Sequence, residues 1–154
     1  MDNAIDTRDR TPVHLWIVGG LALLWSAFGC FDYLMTRMRN TDYLAGMMPS
    51  VDPNAVLAWI DAFPVWAQFG WGLGVWGGLV GAILLLLRSR WAVLAMGLSL
   101  LGAVLGLGYQ ALAAPPHEGM EGHTAAKVIP YLIIGVALAL FVYARSMRLK
   151  GVLR

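Results

Sequence analysis

The sequence predicts an all-α, polytopic membrane protein: a four-transmembrane-helix antiparallel bundle, with a short interfacial amphipathic helix between helices 1 and 2. Three observations carry this. The 154 residues are 59% hydrophobic and only 13% charged, against roughly 45–50% and about 25% in a soluble domain. Mean hydropathy is +0.67. Residues 13–31, 62–87, 91–116 and 128–144 contain no Lys, Arg, Asp or Glu. So little charge cannot cover a water-facing surface, and lipid is the implied solvent.

A bilayer core of about 30 Å takes roughly 20 helical residues at ~1.5 Å each. The first helix is expected at 13–36, after an N-terminal tail, 1–12. Its apolar run exceeds the ~7–15 residues of a signal peptide, and no small-x-small cleavage site follows, so it reads as retained. Next, Asp52-Pro53 resembles an N-cap with proline at the first helical position. Val56, Trp59, Ile60 and Phe63 then fall at helical spacing, which predicts an amphipathic helix over 53–62, lying on the outer membrane surface as an anchor. Pro64 opens a second span at 64–87; Arg88-Ser89-Arg90 allows only a tight hairpin before the third, at 91–113. A fourth at 125–144 completes a single membrane domain, 13–144, and a basic tail, 145–154, follows.

Lys and Arg counts orient the bundle. Arg8, Arg10, Arg88, Arg90, Arg145, Arg148, Lys150 and Arg154 fall on one side; Arg37, Arg39 and Lys127 fall on the other. Eight against three places both termini in the cytoplasm. The outer face then carries Asp32, Asp42, Asp52, Asp61, Glu118 and Glu121, with His117 and His123. A net charge of +2 leaves no nucleic-acid footprint. The lone Cys30 makes neither a disulfide framework nor a cysteine metal cluster. Gly72-x-Gly74-x-x-Gly77 matches the dinucleotide fingerprint by letter, but that motif needs a strand before it and a helix N-terminus after it. Mid-membrane, it predicts no nucleotide.

Between helices in lipid, close backbone packing replaces the hydrophobic effect. Gly70, Gly74 and Gly78 recur every four residues, and Gly102 and Gly106 repeat that spacing on the third span. Such faces pack within one bundle or against a second subunit; packing within the bundle is the expectation.

Asp32 is the most informative single residue. It falls near the outer edge of the hydrocarbon, where an acid is costly unless paired. With Thr36, Arg39 and Tyr43 it forms a polar face on the emerging helix, and Arg37, Arg39, Tyr109, Gln110 and Lys127 are partners at similar depth. The cluster reads as an interhelical clamp or a ligand site opening outward. His117, Glu118, Glu121 and His123 lie within seven residues, and imidazole with carboxylate suits a divalent metal. Their spacing matches no closed structural site, so the expectation is a solvated acidic loop and no metal. His14 stands at the inner end of the first span, and Trp25, Trp71 and Trp76 read as packing bulk. No Ser-His-Asp or Cys-His arrangement is present, so neither an enzyme nor a cofactor is implied.

Phe28-Gly-Cys-Phe-Asp-Tyr-Leu-Met-Thr-Arg-Met-Arg-Asn40, with Tyr43 beyond, resembles a family of small proteobacterial four-helix inner-membrane proteins often labelled "sugar transporter". His14-Leu-Trp-Ile-Val-Gly19, Leu73-Gly-Val-Trp-Gly-Gly78 and the closing Gly151-Val-Leu-Arg154 add to the likeness. The resemblance implies a bacterial inner membrane. In size and helix count the chain is also similar to DoxX-type membrane subunits, which act beside redox partners.

The functional expectation is a non-catalytic accessory or scaffold subunit of a larger membrane complex, or a homo-oligomer. An oligomeric transporter of a small polar solute is the alternative, although Ser26, Gln68 and Ser99 are the chief polar residues deeper in the membrane. Metal or ligand sensing at the outer face comes third.

Overall fold

The computed structural model describes residues 11–114 and 124–154. The regular elements among these residues are helices: α1 Val13–Arg37, α2 Thr41–Met47, α3 Pro53–Asp61, α4 Val65–Leu86, α5 Ala92–Leu112 and α6 Thr124–Leu149. α1, α4, α5 and residues Lys127–Leu149 of α6 are long and apolar enough to cross a membrane. At ~1.5 Å per residue, the 22 residues of α4 reach about 33 Å, matching a ~30 Å hydrocarbon layer. The chain is a multi-pass membrane protein.

α1 packs on α4, α4 on α5, and α5 on α6. Backbone-to-backbone contact explains the tight middle pair. A Cβ placed on Gly74 would fall 2.9 Å from the Ala103 nitrogen, and one on Gly106 would fall 2.7 Å from the Trp71 nitrogen. Gly70 likewise faces the Gly106 nitrogen at 3.0 Å, and Gly102 meets the backbone of Gly70 and Gly74. No side chain fits there. Gly78 does a different job: a Cβ on it would meet Ser99 Oγ at 3.1 Å and Ser26 Oγ at 3.3 Å. It leaves room for two hydroxyls where α1, α4 and α5 meet, and Ser99 Oγ donates to the Gly74 carbonyl at 2.6 Å.

The end carrying both outer helix termini, the start of α1 and the finish of α6, is filled. Leu15, Ala22, Ala82, Leu85, Met96, Ala144, Met147 and Leu153 form one buried cluster there. His14 Nδ1 and the Tyr143 hydroxyl are hydrogen-bonded at 2.6 Å, with their rings edge to face. This pair joins α1 to α6, a tie that the position of His14 in the sequence did not suggest.

The fourth span runs to Leu149, five residues beyond the expected end at 144. Met147 packs into the cluster, and Arg145 and Arg148 suit the negative end of a helix dipole. Nor are the closing residues a free tail. Gly151, at φ 72, turns the chain, Leu153 is buried, and the Arg154 nitrogen donates to the Arg88 carbonyl at 2.7 Å. The Arg90 nitrogen returns a bond to the Arg154 carbonyl at 2.8 Å.

At the other end, the polar face expected to continue from Asp32 to Tyr43 on one helix is broken. Arg39 adopts φ 56, and the Asn40 nitrogen bonds the Met35 carbonyl at 3.0 Å, closing α1 in a Schellman turn. Asn40 then caps α2, its Oδ1 accepting from the Tyr43 nitrogen at 2.9 Å. α3 starts as expected, with Asp52 Oδ1 accepting from the Asn54 nitrogen at 3.0 Å. Its apolar face, however, turns onto protein: Val56 and Leu57 are buried.

Candidate functional site

A cavity of about 470 Å³ opens at the α2–α3 end, lined by residues of both α1 and α6. α1 contributes Asp32 and Thr36, and α6 contributes Ile129 and Pro130. Gly106, Leu107 and Gln110 of α5 and Ala67, Gln68 and Trp71 of α4 form the back. The cover is α2, α3 and the strap between them, through Leu44, Met47–Val51, Val56, Trp59, Ile60 and Phe63. The hydrophobic stripe of α3 therefore roofs a cavity. It has this orientation because a ring ladder holds it: Trp59 on Phe63 at 4.7 Å, Phe63 on Tyr109 at 5.1 Å, and Tyr109 on Trp66 at 5.4 Å. On the α1 side, Tyr33 braces Trp71 edge to face at 4.8 Å, and Gly72 leaves room for the Tyr33 hydroxyl.

Asp32 is paired with Tyr43, a member of the expected polar cluster, and not with Arg37, Arg39, Tyr109, Gln110 or Lys127. Tyr43 Oη donates to Asp32 Oδ1 at 2.9 Å, across the break between α1 and α2; the Phe31 ring supports Tyr43 at 5.5 Å. Burial, reinforced by the hydrogen bond to Asp32 and by that carboxylate's charge, pushes the Tyr43 phenol up to about 12. The phenol thus stays a neutral donor across the physiological range.

The arginines expected near Asp32 are engaged elsewhere. Arg39 Nη2 contacts Asp61 Oδ2 at 2.5 Å, and this ion pair is solvent-exposed. Arg37 Nη1 donates to Gln68 Oε1 at 3.0 Å. The Gln68 amide in turn donates to the Phe63 carbonyl at 2.9 Å. These contacts clasp the end of α1 to the junction of α3 and α4. The left-handed turn at Arg39 sends its side chain toward α3 instead of back along α1.

Of the residues expected to cluster, the structure brings Asp32, Thr36 and Gln110 to the cavity wall and sets Tyr43 behind Asp32. Tyr109 belongs to the ring ladder and Arg39 to the clasp. Lys127 is exposed and is not part of the wall. His117, Glu118, Glu121 and His123 lie outside the described residues; among the described residues no group of three metal-ligating side chains occurs. Sequence reasoning missed Asp61, the methionine-rich strap and Pro130. The strap leaves a compositional trace in Met47-Met48-Pro49, but its contact with α6 depends on tertiary packing.

Chemically, the wall offers one carboxylate, two hydroxyls and two amides among aromatic and aliphatic side chains. A lining of this kind has the chemistry of sites that take small amphipathic molecules. Comparison with known proteins finds no matching family model, no matching curated protein and no matching solved structure.

Proposed function

We propose that the chain is a non-catalytic accessory subunit of a larger membrane assembly. In this reading it sits in a bacterial inner membrane with both ends cytoplasmic and α2–α3 outside. The supporting observation is α6. Its main packing partner among the long helices is α5, with a tie to α1 at His14–Tyr143, and it is the least buried span, at 17%. On its free side Gly135 and Ala139 are exposed four residues apart, and a Cβ on Gly135 would meet nothing within 4 Å. Tyr131, Leu138 and Val142 flank them. A second helix can approach such a seam as closely as α5 approaches α4, which is how helices associate in lipid. The Lys and Arg bias supports the orientation.

Purification of the tagged chain in a mild detergent tests this. A partner should co-purify in fixed stoichiometry with the native chain. Gly135→Leu should be inserted normally and lose that partner at least tenfold. Recovery of the native chain as a lone monomer contradicts the reading.

The cavity favours a second reading, capture of a small solute for transport. Toward the filled end, the buried polar side chains of the described spans are Ser26 and Ser99. Passage would therefore require a seam shared between copies. A symmetric oligomer with water along such a seam would support this reading over the first.

A further inference from the structure

The chemistry of the cavity defines its occupant more narrowly. Among the described residues, Asp32 takes a hydrogen bond from Tyr43 and has no cationic partner. Arg37 and Arg39 are committed to Gln68 and Asp61, and no lysine or arginine lines the wall. At the edge of the hydrocarbon, held by one phenol, a carboxylate is costly without a cation beside it. Among the described residues the lining holds no lysine or arginine, but it suits a cation: Trp59, Phe63 and Trp71 contribute aromatic rings, whose faces attract ammonium groups. Beyond them, Met47, Val56 and Ile129 offer hydrocarbon contact. A phosphate or carboxylate head finds no lysine or arginine among the described residues of the wall.

We propose that this cavity binds a single-chain cationic amphiphile, its ammonium group against Asp32 and its hydrocarbon tail along the strap and α6. About 470 Å³ falls within the ~300–1,000 Å³ of small-molecule sites. The inference stands apart from the accessory-subunit reading, because ligand capture and partner capture use different faces of the chain.

The test is a tryptophan-fluorescence titration of the full chain in an uncharged maltoside detergent. Hexyltrimethylammonium is compared with 1-octanol, a neutral molecule of similar length. The cation should bind at least tenfold more tightly than the alcohol. Asp32→Asn should abolish that preference, and Asp42→Asn, an exposed charge change on α2, should preserve it. Equal affinities, no saturable binding of the cation, or an unchanged preference in Asp32→Asn would overturn the proposal. If Asp32→Asn fails to fold, the cation-to-alcohol ratio of the native chain still decides.

Discussion

At the scale of single residues, Asp32 and Tyr43 illustrate what a linear pattern can and cannot convey. The depth of Asp32 and its need for a partner follow from its position in an apolar run. Which partner it takes depends on a three-residue break, Met38–Asn40, and the break turns on Arg39 holding φ 56. A left-handed non-glycine residue costs roughly 1–2 kcal/mol, so no propensity argument would place one there. The pairing has a pH signature. In the unfolded chain a tyrosine ionises near about 10, whereas Tyr43 in the fold ionises at about 12. The folded pKa is raised, so its contribution to stability is complete below pH ~10 and is lost as pH climbs toward about 12. Chemical denaturation at a series of alkaline pH values should show that loss in the native chain. Tyr43→Phe should flatten the pH dependence over the same interval and be slightly less stable at neutral pH.

At the scale of elements, the four spans were legible because lipid demands long uninterrupted apolar helices, and no tertiary detail alters that demand. Their mutual packing was partly legible. Glycine spacing identifies a face but does not distinguish Gly74, pressed on the α5 backbone, from Gly20, whose missing Cβ would meet nothing within 4 Å. The two should behave differently. Gly74→Ala forces α4 and α5 apart and should lower stability by about 1–3 kcal/mol. Gly20→Ala should leave the thermal midpoint unchanged or slightly raised, since glycine is a poor helix former. Thermal unfolding of both variants in one detergent checks the pair; equal losses would mean that the helices are not in backbone contact at Gly74. The amphipathic character of α3 was readable too, yet periodicity alone cannot say whether an apolar stripe meets lipid or protein. The ring ladder through Tyr109 settles that, and it joins residues 50 positions apart (Trp59 and Tyr109). The end of α6 was misplaced because a run of basic residues resembles a solvated tail until Met147 and Leu153 are seen in the core.

At the scale of the molecule, the two ends differ in kind. One is filled, and its closing residues stitch Arg154 to Arg88 and Arg90. The other holds a roofed cavity with a carboxylate in its wall. A bundle filled at one end and hollow at the other makes orientation decisive, since it determines which side of the membrane holds the cavity. The most direct measurement is cysteine labelling in intact cells. Cys30 is buried and is replaced by alanine, and single cysteines are introduced at Ala55, exposed on α3, and at Lys150, exposed after α6. A membrane-impermeant maleimide should label Ala55→Cys in intact cells and Lys150→Cys only after lysis. Labelling of Lys150→Cys from outside, or of both positions from the same side, would contradict the account.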